Sequence, residues 1–499
     1  MLIKSNPDEI QNFLTDASNI KGGSVDKVVF PESAAEIAEI LREANTNGTP
    51  VTVSGAGTGL VGGRVPFGGV VLAMDKFNKI KEISPERFFG VVGSGVILAD
   101  YQKAVEAQGL FYPPDPTEWS CQMGGTVATN ASGSRSFKYG ATRPWIKRLE
   151  IVLPTGDILN LNRGEHFFDE EGKLSLALPG VKKPFVLKQP TYEMPQTSKH
   201  AAGYYSQPAM DLIDLFIGSE GTLGIVTEIE TYLLPKPAGY LSGIVFFAAD
   251  RDLLEFVSQA REVSYQNREL KKTNSIDASL LEYFDRNSLD FIRGKFPQVP
   301  ENMAGAVFFE QETTADNEDE LLALWNRLLE ENNAEIESSW FAVNAEDAKK
   351  MRDFRHALPV AVNEWIVKHG QRKISNDMAV SSEEFPRQLN FYRSTLAAAG
   401  LNYVIFGHIG DNHVHVNILP RDENEAQKAR QIYGQFIART CIVGGTISAE
   451  HGVGKLKKKY LNVMFGERFV NEMIEVKKTL DPKFLLGRGN MFDENIAGV

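Results

Sequence analysis

The chain has 499 residues, 42% of them hydrophobic and 24% charged, enough for two or three domains with sizeable cores and unlike a disordered or low-complexity protein. A net charge of −12 argues against the basic footprint of a nucleic-acid binder, so no nucleic-acid partner is expected, while a locally basic cleft for small anions stays open. Two cysteines, Cys121 and Cys441, without CxxC spacing, exclude a disulfide framework and a thiolate metal site and fit a reducing compartment. Residues 1–8 carry no signal-peptide core and no run approaches the ~20 apolar residues of a bilayer span, so a cytoplasmic protein is expected, with peripheral membrane attachment left open.

Residues 8–50 read as mostly helical around a short strand at Lys27–Phe30, with Pro31-Glu32-Ser33 opening a helix over Ala34–Asn45. The strand Val51–Ser54 then runs into Gly55-Ala56-Gly57-Thr58-Gly59-Leu60-Val61-Gly62-Gly63. Gly57, Gly59 and Gly62 match GxGxxG, and Asp75 ends the next strand, Val70–Met74. Only residues 63–69, Pro66 among them, separate loop and strand, and a crossover helix needs about ten residues or more. The loop is therefore not of the Rossmann type, yet its backbone N–H groups can still hold a pyrophosphate as an anion nest. A strand at Phe89–Val92 and a helix at Leu98–Gln108 lead to the rigid turn Tyr112-Pro113-Pro114-Asp115-Pro116. A second small-residue run, Met123–Ser134, follows, then a strand at Leu149–Leu153 and a third run at Ile217–Val226. Three such loops in the first half of the chain have one economical explanation, a large phosphate-bearing cofactor lying against bare backbone.

Pro235-Lys236-Pro237 marks a boundary. Two strand–helix units, Tyr240–Phe247 with Asp252–Val263 and Met303–Glu310 with Glu318–Glu331, predict a sheet covered by helices. A helix over Ala345–Lys368 carries Arg352, Arg355 and His356, and Lys373–Val380 reads as strand. An arginine aimed into a cleft suits a carboxylate, although spacing alone fits solvated helix positions equally well. Gly407–Asn417 reads as strand, turn, strand. With Asp411-Asn412 as a two-residue hairpin loop, His408 stands opposite His415 with Cβ atoms roughly 5 Å apart. Two imidazoles so held can share a metal ion, and Glu450 in Ser448–Gly454 offers a third ligand. Four of the eight histidines fall between His408 and His451. A helix at Asn424–Cys441 brings that segment back, and Lys457-Lys458-Lys459 is expected to be a solvated helix face.

On these motifs, residues from about 20 to 235 resemble the FAD-binding domain of the vanillyl-alcohol-oxidase type of flavoenzyme. From about 20 to 490 the chain resembles its D-2-hydroxy acid dehydrogenase branch, which includes D-lactate dehydrogenase, glycolate oxidase and D-2-hydroxyglutarate dehydrogenase. The resemblance implies an α+β fold: a two-part FAD-binding domain over 1–236, a ferredoxin-like α+β substrate (cap) domain over 237–440 and a helical C-terminal segment over 441–499 that completes the active site. It implies FAD held by Gly55, Ala56, Gly57, Thr58, Gly59 and Gly62, by Pro114 and Asp115, by Gly124, Gly125, Thr126, Asn130, Ser132 and Gly133, by Glu220, Gly221, Thr222, Gly224 and Ile225, and by Asn490, which here precedes Met491 where many relatives have proline and glycine. It implies a divalent metal, zinc first among them, on His408, His415 and Glu450, with His451 as the base. It implies Arg355 for the substrate carboxylate, with Lys373 and Asn417 as further substrate contacts. His413 stands where many relatives have asparagine and is a possible added ligand. The first loop has no histidine or cysteine for a covalent flavin link, although Cys121 lies just before the second. The implied partners are a small 2-hydroxy acid and an electron acceptor (quinone, cytochrome or electron-transferring flavoprotein), with a homodimer left open. Two other readings are a zinc hydrolase on a degenerate flavin scaffold, for which HExxH is absent, and a non-catalytic flavin subunit, which should lack Glu450-His451.

Overall fold

Three sheets carry the architecture of the computed structural model, which describes residues 1–177, 184–342 and 344–493. The first has the order Leu2–Lys4, Lys27–Phe30, Val70–Ala73, Val51–Ser54, with the last three strands parallel. The helix Ala34–Asn47 crosses from one parallel strand to the next. Ser33 caps it by accepting the Glu36 N–H, and Gly48 at φ 70 ends it. Its Ile37, Ala38, Leu41 and Ala44 bury one stripe against Val29, Val51 and Leu72. Leu485 and Leu486, far along the chain, complete that core. The return from Val51–Ser54 to Val70–Ala73 is loop without a helix, as the short spacing requires.

The second sheet is antiparallel, in the order Ile80–Ser84, Phe89–Gly93, Ile225–Tyr232, Ile146–Val152, Ile158–Asn162. Its central strand alternates strictly. Ile225, Thr227, Ile229 and Thr231 are buried, while Glu228 and Glu230 face out and pair with Lys81, Lys147 and Arg148.

The third sheet is antiparallel and seven-stranded: Trp340–Phe341, Gly239–Phe247, Gly305–Thr313, Ala278–Asp285, Tyr403–Gly407, His415–Ile418, Ile374–Ser375. Successive residues of its central strands enter different cores. Val245, Phe247, Val307 and Phe309 pack with Phe256 and Trp325, whereas Ile244, Phe246, Phe284 and Phe308 pack with Phe354 and Leu358. Helices Asp250–Glu269 and Glu318–Glu331 thus cover one face, and Ala345–Lys368 the other. This is the expected α+β architecture. One expectation is corrected, and two elements were not foreseen. Of Lys373–Val380 only Ile374–Ser375 is strand, and the strand Ala278–Asp285 and helix Phe385–Ala399 were not foreseen. Among the described residues no helix is long and apolar enough to cross a membrane.

The final segment returns to the first sheet. The Val51 N–H donates to the Leu485 carbonyl at 2.9 Å and the Gly487 N–H to the Val51 carbonyl at 3.0 Å. Residues 494–499 of the expected C-terminal segment lie outside the described residues.

Candidate active site

The loop after Val51–Ser54 is braced by Arg64, whose guanidinium donates to the carbonyls of Asn12 (2.6 Å), Thr15 (2.9 Å) and Gly55 (2.7 Å). Gly57 has φ +82, and a Cβ there would fall 2.2 Å from the Arg64 Cζ, so any other residue would be strained and would displace the guanidinium. This loop, the helix Met123–Thr129 with its flanks, and the turn before Ile225–Tyr232 wall one cavity that opens to solvent. Of the sequence-predicted cofactor residues, Gly55, Ala56, Gly57, Thr58, Gly59, Gly124, Gly125, Thr126, Ser132, Glu220, Gly221, Gly224, Ile225 and Asn490 lie on that wall. Nothing stands within 4 Å of a Cβ placed at Gly59 or Gly125, so the backbone is open there to a close-lying ligand. Buried Ser94 Oγ and Gln122 Oε1 also line the cavity and have no hydrogen-bond partner among the described residues. Such atoms are costly unless a ligand satisfies them.

Six predicted residues stand behind the wall as its frame. Asn130 accepts the Arg143 N–H at 2.9 Å, Pro114 accepts from Gln102 at 2.9 Å, and Asp115 accepts from the Trp119 indole at 3.2 Å. The Thr222 and Tyr204 hydroxyls meet at 2.7 Å. Gly133 packs so tightly that a Cβ would lie 1.6 Å from the Asp115 carbonyl oxygen, and Gly62, at φ +78, would strike Ile20. Cys121 is on the cavity wall, its thiol pushed up to about 12, chiefly by burial.

The second half of the site comes from the third sheet. Phe406, not His408, pairs with His415, so the two-residue hairpin is corrected. Gly407 at φ +117 turns the chain out of the strand into a 3-10 turn, Ile409–Asp411, and Asn412 at φ 52 turns it back. His408 thereby folds over His415, with ring centroids 5.5 Å apart. His408, His413, His415 and Glu450 each offer a ligand atom, all within 4.8 Å of one another. Glu450 Oε1 lies 3.1 Å from His415 Nε2 and 3.3 Å from His408 Nε2. The Nδ1 atoms point outward, His408 to Glu282 Oε1 at 2.6 Å and His415 to the Asn376 carbonyl at 3.2 Å. These partners assign Nδ1–H to both rings and leave Nε2 for the centre. His413 is fully buried, with its Nε2 3.2 Å from Asp377 Oδ1 and its Nδ1 without a hydrogen-bond partner among the described residues. The donor set of imidazole nitrogens and a carboxylate is one that can hold a divalent cation.

Asp377 fixes the segment that carries Glu450 and His451. It accepts both their backbone N–H groups, at 3.1 and 3.0 Å, and the Ser448 hydroxyl at 2.7 Å. Lys457 Nζ lies 2.6 Å from the same carboxylate, which corrects the expected solvated lysine face, since Lys457 is buried. Burial would raise the Asp377 carboxyl, but His451 and Lys457 hold it well below the usual range. Glu450 is likewise held low, because Lys199 and His408 outweigh burial. Lys199 Nζ bonds Glu450 Oε2 at 3.0 Å and the Gly133 carbonyl at 2.8 Å, and Ser132 Oγ reaches the same Oε2 at 3.2 Å. The second glycine-rich run and the imidazole cluster thus share one carboxylate. His451 stacks on His415 at 5.4 Å and 8°, lines the cavity, and has its imidazole pushed down to about 4 by burial, with Asp377 and Glu450 opposing. At neutral pH it is an uncharged proton acceptor.

Arg355 projects from Ala345–Lys368 and donates Nε–H to Glu282 Oε2 at 2.9 Å. Asn417 is buried, with Nδ2 3.3 Å from the His415 carbonyl and Oδ1 orphaned. Lys373 is exposed beside Ile374–Ser375. Arg64, Lys199, Glu282, Asp377 and Lys457 were not foreseen in these positions. Their partners lie far off in sequence, 251 residues for Lys199–Glu450 and 126 for Glu282–His408, and no local motif announces them.

Comparison with known proteins finds two matching families: residues 25–162 match the FAD binding domain, and residues 256–491 match the C-terminal domain of FAD linked oxidases. The chain is 30% identical to a D-lactate dehydrogenase of Anaerostipes hadrus over 97% of this chain and 93% of that one. It is 29% identical to the glycolate oxidase subunit GlcD of Bacillus subtilis (94% and 89% covered) and 28% identical to a D-2-hydroxyglutarate dehydrogenase of Stutzerimonas stutzeri (93% and 90% covered). Among solved structures, 4-ethylphenol oxidase from Gulosibacter chungangensis superposes with TM-score 0.70 at 17% identity, covering 98% of this chain and 94% of that one. p-Cresol methylhydroxylase superposes with TM-score 0.69 at 15% identity (99% and 94% covered), and both likenesses speak to the fold alone.

Proposed function

The chain belongs to the FAD-linked oxidases, and from that premise we propose that it oxidises a D-2-hydroxy acid to the 2-oxo acid. One observation carries the reading: Glu450 and His451, members of the imidazole–carboxylate cluster, line the same cavity as the glycine-rich loops. The named substrates of the relatives, D-lactate, glycolate and D-2-hydroxyglutarate, share a hydroxyl on the carbon beside a carboxylate.

The three loops would hold FAD, which would supply the hydride acceptor that side chains lack. His408, His415 and Glu450, with His413 as the added ligand, would hold a divalent cation, which would supply a Lewis acid for the substrate hydroxyl. Arg355, steered through its Nε by Glu282, binds the substrate carboxylate with its Nη atoms, which make no hydrogen bond among the described residues, and so orients the Cα–H. Lys373 and Asn417 are further substrate contacts in this reading. His451 accepts the hydroxyl proton on its neutral ring as the Cα hydrogen leaves with its electron pair. Asp377 holds the His451 backbone so that the ring stays stacked on His415. A quinone, a cytochrome or an electron-transferring flavoprotein would be the final electron acceptor.

The test is anaerobic mixing of the purified yellow protein with the D and L forms of lactate and 2-hydroxyglutarate, and with glycolate, with and without a chelator. The D forms or glycolate are expected to bleach the flavin, and the chelator to stop it. A flavin that no hydroxy acid reduces would overturn the reading.

A further inference from the structure

Glu282 lies mid-strand in Ala278–Asp285, on the face shared with Leu280 and Phe284, which pack against the helix Ala345–Lys368. Every residue of that strand is buried, and Glu282 is only 2% exposed. A carboxylate is costly in such a place unless each oxygen is satisfied. Here the two oxygens serve different partners: Oε1 takes His408 Nδ1 at 2.6 Å, and Oε2 takes Arg355 Nε at 2.9 Å. Among the described residues neither Arg355 Nη makes a hydrogen bond, so the Glu282 contact aims the guanidinium without occupying its fork. The other contact fixes the His408 ring with Nε2 toward Glu450, at 3.3 Å. Neighbouring packing holds the arrangement rigid, since Phe284 meets Phe354 at 5.1 Å, one residue from Arg355.

We propose that Glu282 is a positioning residue that ties two halves of the site together, orienting Arg355 for the substrate carboxylate with one oxygen and His408 for the cation with the other. The inference rests on the reading above, in which Arg355 meets the hydroxy acid and His408 meets a metal. A carboxylate is needed because the two donors approach different oxygens, and glutamine keeps an acceptor at only one of those two positions.

The experiment is Glu282→Gln in the full-length, FAD-loaded protein. Flavin content and thermal unfolding report whether the fold survives. Zinc affinity is measured by chelator competition at one fixed pH for both proteins, and KM and kcat are measured with D-lactate, glycolate and D-2-hydroxyglutarate. The expected result is a paired loss, with zinc affinity down and KM up by about tenfold or more each, while flavin content stays. If the variant is colourless, Glu282→Asp keeps the charge but is too short to span both partners, and the same paired loss is expected. Wild-type zinc affinity and KM in the variant, or a loss in only one of them, overturns the shared role. If the unmodified protein neither takes zinc nor is reduced by any of the three acids, the reading of the site falls first, and this inference with it.

Discussion

At the residue scale the chemistry concentrates on a few side chains whose ionisation is set by burial and by the charges packed against them. His451 is expected to act as the base, so His451→Asn should keep its flavin while turnover falls by about 10²-fold or more, measured by steady-state rates beside the flavin spectrum. The pH profile follows from the direction of its shift. The imidazole is pushed down to about 4, and the rate needs it uncharged, so the acid limb of kcat/KM should sit near pH 4 rather than at a free imidazole's value near 6.5. A cation bound beside it moves that limb lower still, not higher. His408 has the opposite shift. Burial lowers its pKa, but Glu282 more than reverses this, to about 9. A ligating Nε2 must shed its proton, so zinc affinity should climb by up to about tenfold per pH unit between neutrality and about pH 9, as titrations at three pH values would show. His408, His415, Glu450 and His451 were legible in the sequence because they are crowded into one stretch. Glu282 and Lys199 were not, because each is an unremarkable charge until folding brings its partner near.

Among the elements, turns decide where these side chains end up. Gly454, at φ +49, donates its N–H to Glu220 at 2.6 Å, and a Cβ there would fall 2.3 Å from the Val61 carbonyl oxygen. Gly454→Ala should destabilise the protein by at least about 1–2 kcal/mol, from the left-handed backbone alone, and should weaken flavin retention. Gly434, within the helix Glu423–Ile442 and facing open space, is the contrast: Gly434→Ala should be neutral or stabilising by about 0.5–1 kcal/mol. Thermal unfolding separates the two. Gly407 shows why sequence pattern misjudged the hairpin. Gly410-Asp411-Asn412 has ordinary turn chemistry, but the chain has already left the strand three residues earlier, at Gly407. The strand Ala278–Asp285 escaped notice for a different reason. It is buried on both faces, so it shows none of the alternation that made Ile225–Tyr232 readable.

For the whole molecule, the order of the parts was plain from composition, spacing and resemblance, while their closure was not. The final segment joins the first sheet through a single bridge, Val51 with Leu486, and two buried leucines, too little to register as a pattern. Those contacts still have weight, because each buried leucine contributes about 2 kcal/mol and Gly487 and Asn490 wall the cavity. A chain cut after Leu480 should therefore be recovered colourless or insoluble, as absorbance and sedimentation would reveal. The same closure sets a timetable for synthesis. The nest around Gly57 leaves the ribosome early, yet one wall of its cavity is translated only after more than four hundred further residues, so a nascent chain has nowhere complete to lodge its pigment. Colour then becomes a receipt for finished translation: a truncated product announces itself by being pale.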